Sequence, residues 1–500
     1  MSHPSISALV LMAAISVAAT LASPAAYGTG RQSHMENDVE LDKLLTQQAR
    51  KTLSRIRLVD GQSRSRNVRV SMDITQQVIR VWLDGSFLPE DYGPSFEDQR
   101  SIINNDLIYV AEKVAPVTTV EYFYDGKDIY HYFPEIKAAD DAARERGQQR
   151  RRARGGSGMA FVSAGHGYFY SHKSNAWTSS RDEHNGVSEG LLTPLYAAEL
   201  KGIVEVRSRM PVIRPRVQDA GLIHPDSGFE WWTMAARYAI ANQYPGETSI
   251  WNTYAGSSRW DREEREDINS RPKLANHLGA EMLIHLHSNA DTNGAARGAR
   301  VIVQPGRSDD ESLARSVLCS MKELIQSQAG YESFVVASDP HKDNKGENRE
   351  ADMPSIIVET AFHTHPEDAK ALLDPVFRTA SMKGVEKGYR LWAAGRECAP
   401  FELGPIEDFA LPIGGASDFT LSVKGNPQFP VTLETQVAGC SEQGACDAYT
   451  KVFDDPDVPM LVQTGCQGSG SGVADWSARM IDADGVATAP VTYRQVCGRG

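Results

Sequence analysis

Four side chains in the middle of this 500-residue chain are of types that do chemistry together: His166, Glu189, His287 and Glu359. Two imidazoles and a carboxylate are the donors of a hydrolytic zinc site that keeps one position open, and a further carboxylate can act as acid and base on the attacking water. Taken singly, each has an ordinary explanation. His166 stands between Gly165 and Gly167 and reads equally as a turn residue. Glu189 in a first helical turn favours the helix dipole. His287 is harder to dismiss, because it ends the apolar run Glu281-Met-Leu-Ile-His-Leu-His287 and precedes Ser288-Asn289-Ala290. By strand periodicity His285 shares its face and is the main rival ligand. Glu359 closes the run Met353-Pro-Ser-Ile-Ile-Val-Glu359, where a carboxylate is costly unless a cation, hydrogen bonds or a proton neutralise it.

Groups so far apart in sequence share a site only if the fold gathers strand ends. From Met159 onward, apolar runs at 159–163, 210–213, 281–287, 300–303 and 354–359 alternate with helical spacing at 188–203, 229–242, 270–278, 309–328 and 380–394. This predicts an α/β domain over 159–396, a mostly parallel sheet flanked by helices on both faces, with strand carboxyl ends converging on one edge. Ser188 is placed to cap its helix, and Pro272 to stand in a first turn.

Upstream, 60–137 reads as a small α+β accessory module, with strands at 67–73 and 78–83, a helix over 96–114 and a hairpin about Asp125-Gly126. The charged stretch 36–51 reads as a short helix or a linker. Residues 138–158, rich in Arg and ending in Gly155-Gly-Ser-Gly158, read as a solvated linker, or as a contact for an anionic wall polymer or lipid headgroups. Beyond Pro400, short alternating strands among Pro and Gly predict a β-sandwich over 400–500.

The net charge of -13 argues against nucleic acid as a partner. Residues 6–22 are apolar and lead to small residues near Ala25 and Ala26, so 1–26 reads as a signal peptide. Met1 to Ser5 lack Lys and Arg, which leaves a retained N-terminal anchor as the alternative. No other apolar run is long enough to span a bilayer, so no stable membrane insertion is expected after cleavage of the leader. The expected location is periplasmic or extracellular. Six cysteines, five of them after residue 397, agree with an oxidising compartment. The expected pairs are Cys440 with Cys446, Cys466 with Cys497 and Cys319 with Cys398.

Residues 159–394 resemble the zinc-dependent N-acetylmuramoyl-L-alanine amidases of type 3, which cleave bacterial peptidoglycan. The resemblance lies in Gly165-His166-Gly167, Val187-Ser188-Glu189, Val212-Ile-Arg-Pro-Arg216, the block from Ile268-Asn-Ser-Arg-Pro to His287-Ser-Asn-Ala290, and Met353 to Phe362. It implies that His166, Glu189 and His287 hold Zn2+ and that Glu359 is the catalytic carboxylate. The implied reaction is hydrolysis of the amide between N-acetylmuramic acid and L-alanine, with peptidoglycan as partner.

Two departures stand out. The insert Tyr168 to Gly186 is longer than in most of the family; it lines the groove or supplies Glu183 as an alternative ligand. His363 and His365 follow Glu359 where the family has apolar and Asn residues; they position substrate, hydrogen-bond a ligand, or belong to a loop before Pro366. Two rival readings of the whole are a zinc peptidase acting within the stem peptide and a non-catalytic wall-binding protein.

Overall fold

The computed structural model describes residues 26–152, 158–217, 219–441, 446–466 and 471–498. The expected leader, up to its last residue, lies outside them. Among the described residues no helix is long and apolar enough to cross a membrane.

A nine-stranded sheet organises the molecule. Its spatial order is 69–73, 78–83, 119–124, 341–342, 300–303, 355–362, 282–289, 160–164 and 212–213. Neighbours run parallel except Arg69–Asp73 with Val78–Leu83 and Arg300–Val303 with Ser355–Phe362, so the sheet is mixed.

Alternation along the central strands sorts side chains by face. Ala160, Val162, Met282, Ile284, Leu286, Ile356 and Val358 enter one apolar cluster with the helices Glu189–Arg207, Ser308–Gln326 and Pro375–Ala393. Phe161 and Leu283 point the other way, into a second cluster with Ala236, Ile240 and Leu274. His285, His287 and Glu359 share that second face by parity. Strands Met282–Asn289 and Ser355–Phe362 are buried throughout. A polar side chain on them must find a partner inside the protein.

The segment 60–137, expected as a module of its own, continues this sheet. Val78–Leu83 pairs in parallel with Thr119–Tyr124, which reaches Arg300–Val303 through the two-residue strand His341–Lys342. The predicted hairpin at Asp125-Gly126 is not formed. The backbone turns at Tyr124–Lys127, and Asp128 caps a one-turn helix, Ile129–Tyr132, by accepting from the His131 amide. The expected linker is helical over Pro134–Arg152, and the stretch 36–51 belongs to a helix, Ala26–Arg55. Arg144 and Arg146 on the former bind Asp140 and Asp352.

Two helices also differ from expectation. Pro272 lies inside Arg262–Leu278, a helix that begins earlier than expected, and the run 229–242 divides into the short turn Trp231–Thr233 and the helix Ala236–Gln243. Ser188 occupies the N-cap position, but its side chain makes no capping bond.

The C-terminal strands form a five-stranded sheet and two-stranded sheets around a third core of Leu421, Val431, Leu433, Val462, Trp476, Met480 and Tyr493. Asp484 ties this part to the middle domain through Arg207 at 2.6 Å and Lys383 at 2.8 Å. All three expected disulfides are formed: Cys319–Cys398, Cys440–Cys446 and Cys466–Cys497.

Candidate metal centre and active site

His166 follows the strand Ala160–Ala164 with a left-handed backbone, φ 60°, which turns its ring over the end of the sheet. Its neighbours must be small. A Cβ on Gly165 would stand 2.3 Å from Cε1 of His287, and one on Gly167 2.6 Å from the amide nitrogen of Ala235. The Gly-His-Gly run is thus set by close packing on both sides.

Three of the four residues singled out from sequence come within bonding distance of one another. His287 Nδ1 lies 3.1 Å from His166 Nε2 and 3.1 Å from Glu189 Oε1, while His166 Nε2 lies 3.4 Å from Glu189 Oε2. One ligand atom from each falls within 4.8 Å of the others, and all three residues are buried. Glu189 enters from the first turn of its helix and accepts the Ser288 amide at 2.9 Å, which locks the helix start to the strand carrying His287.

These donors suit zinc. Tetrahedral zinc with ligands at about 2.0–2.1 Å separates neighbouring donor atoms by about 3.3 Å, close to the three spacings found. The rivals fit less well. His285 sits one pleat deeper, fully buried, and neither of its ring nitrogens has a hydrogen-bond partner. Glu183 is exposed on the insert.

Charge in the site is tightly balanced. Burial pushes the pKa of His166 down to about 4, and Arg181 acts in the same direction. Burial also disfavours the imidazolium of His287, but Glu347 and Glu189, one at each ring nitrogen, raise its pKa to about 10. Glu189 is held well below the usual carboxylate range by His166 and His287, against its burial.

Glu359 is the fourth residue. It pairs in register with His287 on one side and Arg300 on the other, so its side chain is delivered to the same face as His287. It is 9% exposed, and its Oε2 has no hydrogen-bond partner. Burial pushes its pKa up to about 7, with His287 opposing and Glu189 adding to the rise.

Glu359 and the three donors line a cavity of about 540 Å³. Part of its wall comes from upstream, from Arg57 and the helix Pro94–Ala111, and part from the insert, which forms a hairpin of Tyr168–Ser171 with Ala176–Ser179. Arg181 joins these walls through Asp98 at 2.7 Å and Glu264 at 3.5 Å.

The two histidines after Glu359 separate. His363 is buried at the cavity with Nδ1 2.9 Å from Ser288 Oγ, and burial lowers its pKa. His365 caps the helix Pro366–Leu373, accepting from the Asp368 amide at 3.4 Å, so its work is structural. One residue of the site went unnoticed in the sequence: Glu347, whose carboxylate lies 3.1 Å from His287 Nε2. It belongs to a one-turn helix, Gly346–Arg349, too short to show periodicity.

Residues 252–389 match the family model of N-acetylmuramoyl-L-alanine amidase. The match spans His287 and Glu359 and leaves His166 and Glu189 outside it. Among curated proteins none matches the chain. Solved structures similar to it include the catalytic domain of CwlV, an amidase from Bacillus (Paenibacillus) polymyxa var. colistinus, at 15% identity over 47% of this chain and 98% of that one, TM-score 0.32. The CwlD amidase of Clostridioides difficile, in complex with the GerS lipoprotein, is similar at 16% identity over 48% and 100%, TM-score 0.33. AmiC2 of Nostoc punctiforme is similar at 16% over 48% and 99%, TM-score 0.31. Those structural likenesses are faint, and the family match reaches only over residues 252–389, which are similar to the N-acetylmuramoyl-L-alanine amidases.

Proposed function

We propose that the protein is an exported zinc amidase that hydrolyses the amide between N-acetylmuramic acid and L-alanine in peptidoglycan. The observation that carries the zinc reading is the meeting of His166, Glu189 and His287 beside a buried carboxylate oxygen of Glu359 that has no partner. Zinc would be held by His166 Nε2, His287 Nδ1 and Glu189. When bound it supplies a Lewis acid for the lactyl carbonyl and lowers the pKa of water.

The remaining steps belong to the chain. Glu359 accepts a proton from the attacking water and delivers it to the departing L-alanine nitrogen. Its elevated pKa suits both halves of that transfer, since a group that titrates near neutrality both takes and gives a proton readily. Ser288 and Thr360 keep the geometry: the Ser288 amide donates to Glu189, and Thr360 Oγ1 donates to the His287 carbonyl at 3.1 Å. The walls from the upstream helix and the insert hold the glycan and stem peptide and keep bulk water from the reacting bond. The C-terminal strands, in their β-sandwich arrangement, pack or bind rather than react.

Mass spectrometry of digested sacculi, with metal analysis of the same preparation, tests this reading. Stem peptides released with a free L-alanine amine support it; cleavage between amino acids would favour a peptidase.

A further inference from the structure

We infer that Glu347 is a positioning residue that decides which nitrogen of His287 faces the metal pocket. This rests on the metal reading proposed above. A neutral imidazole carries one N–H and one lone pair, and only the lone pair can bind a metal. The two nitrogens of His287 meet different surroundings. Nδ1 faces His166 and Glu189 at 3.1 Å each, whereas Nε2 faces Glu347, with Oε2 at 3.1 Å and Oε1 at 3.3 Å. Glu189 and His166 would share a metal with Nδ1, whereas Glu347 stands outside that group. As an ionised carboxylate Glu347 has only acceptors to offer, so with the metal bound Nε2 keeps the proton and the lone pair falls on Nδ1.

Glu347 is itself held still. Its Oε1 accepts from Nη1 of Arg271, a fully buried side chain whose Nη2 binds Asp267 at 2.9 Å and whose Nε donates to the Asp267 carbonyl at 3.2 Å. The short helix carrying Glu347 is tied on both sides: the Gly346 amide donates to Glu97, and Asn348 Nδ2 donates to the Ile302 carbonyl, each at 3.0 Å. Asp267, Arg271, Glu347 and His287 therefore form one buried relay that ends at the metal pocket. Carboxylate partners of this kind raise the basicity of a ligating histidine and fix its ring, and their loss weakens metal binding by about 10- to 100-fold.

The test is a zinc titration of metal-stripped protein against a competing chelator, run on the wild type, Glu347→Gln and Glu347→Ala, with 15N spectra of the zinc-loaded wild type. Zinc affinity should fall about 10- to 100-fold in Glu347→Ala. Glu347→Gln should fall between that and wild type, because its carbonyl still accepts from Nε2 without the charge. The spectra should show His287 carrying its proton on Nε2. If Glu347→Ala does not fold, as judged by circular dichroism of the apo form, the isosteric Gln variant decides. Wild-type affinity in a folded variant, or zinc seated on Nε2, overturns the inference and leaves the metal site standing. A wild type that binds no zinc overturns both.

Discussion

Replacing Glu359 by Gln separates the catalytic role proposed for this residue from its structural cost. The isosteric amide cannot take a proton from water, and removing a general acid–base group costs about 10²- to 10⁴-fold in turnover. Stability should move the other way. In the metal-free fold the Glu359 pKa rises from 4.5 to about 7, chiefly through burial. The folded state therefore binds the proton more tightly than the unfolded chain, and stability falls as pH rises from 4.5 through 7. At roughly 1.4 kcal/mol for each tenfold change in proton affinity, the charged carboxylate costs on the order of 3 kcal/mol above pH 7. Glu359→Gln lacks that cost, so metal-free variant and wild type should converge near pH 4 and diverge above pH 7, with the variant the more stable. Urea unfolding of the metal-free proteins from pH 4 to 8 measures the difference, and muropeptide release with matched zinc content measures turnover. Turnover within tenfold of wild type would remove Glu359 from the proton transfer, and parallel stability curves would refute the burial argument.

Gly165→Ala should abolish tight zinc binding in isothermal titration, because the new Cβ would lie 2.3 Å from the His287 ring and displace it; an unchanged affinity would mean that the ring has room to move. His341 is buried, its Nε2 has no partner, and its pKa is lowered from 6.5 to about 4 by burial. Here the unfolded chain binds the proton more tightly, so stability is lost as pH falls from 6.5 toward 4, by on the order of 3 kcal/mol at most; His341→Gln should flatten that limb of the unfolding profile. Cys319 and Cys398 close a loop of 79 residues, and the double Ser variant should lose about 2–5 kcal/mol by chemical denaturation with little change in turnover.

The candidate site was legible to the extent that its residues sit on strongly patterned elements. The runs before His287 and Glu359 are apolar over whole strands, and the ends of such strands are where a parallel arrangement collects polar groups. Glu347 carried no such signal, because a one-turn helix has no period to read. The continuation of the sheet into 69–124 was hidden for a related reason: it passes through His341–Lys342, a strand of two residues. Arg144 and Arg146 read as solvated charge along the sequence, yet Arg144 donates to the Pro305 carbonyl at 2.7 Å and Arg146 pairs with Asp352 at 2.8 Å, partners that only packing brings near.

His285 and His287 show most directly what each level decides. Alternation along the sequence puts both on one face of the strand, and within it only the end of the apolar run and the resemblance favour His287. The tertiary structure chooses through Ser288, whose amide holds Glu189 at the strand end, and through Gly165, whose missing side chain leaves space for the His287 ring. One pleat deeper, His285 meets neither His166 nor Glu189. The sequence determines which face a side chain takes because strand geometry is local and repeats every two residues. Which donors meet depends on where separate elements end against one another, and that is a property of the packed fold alone.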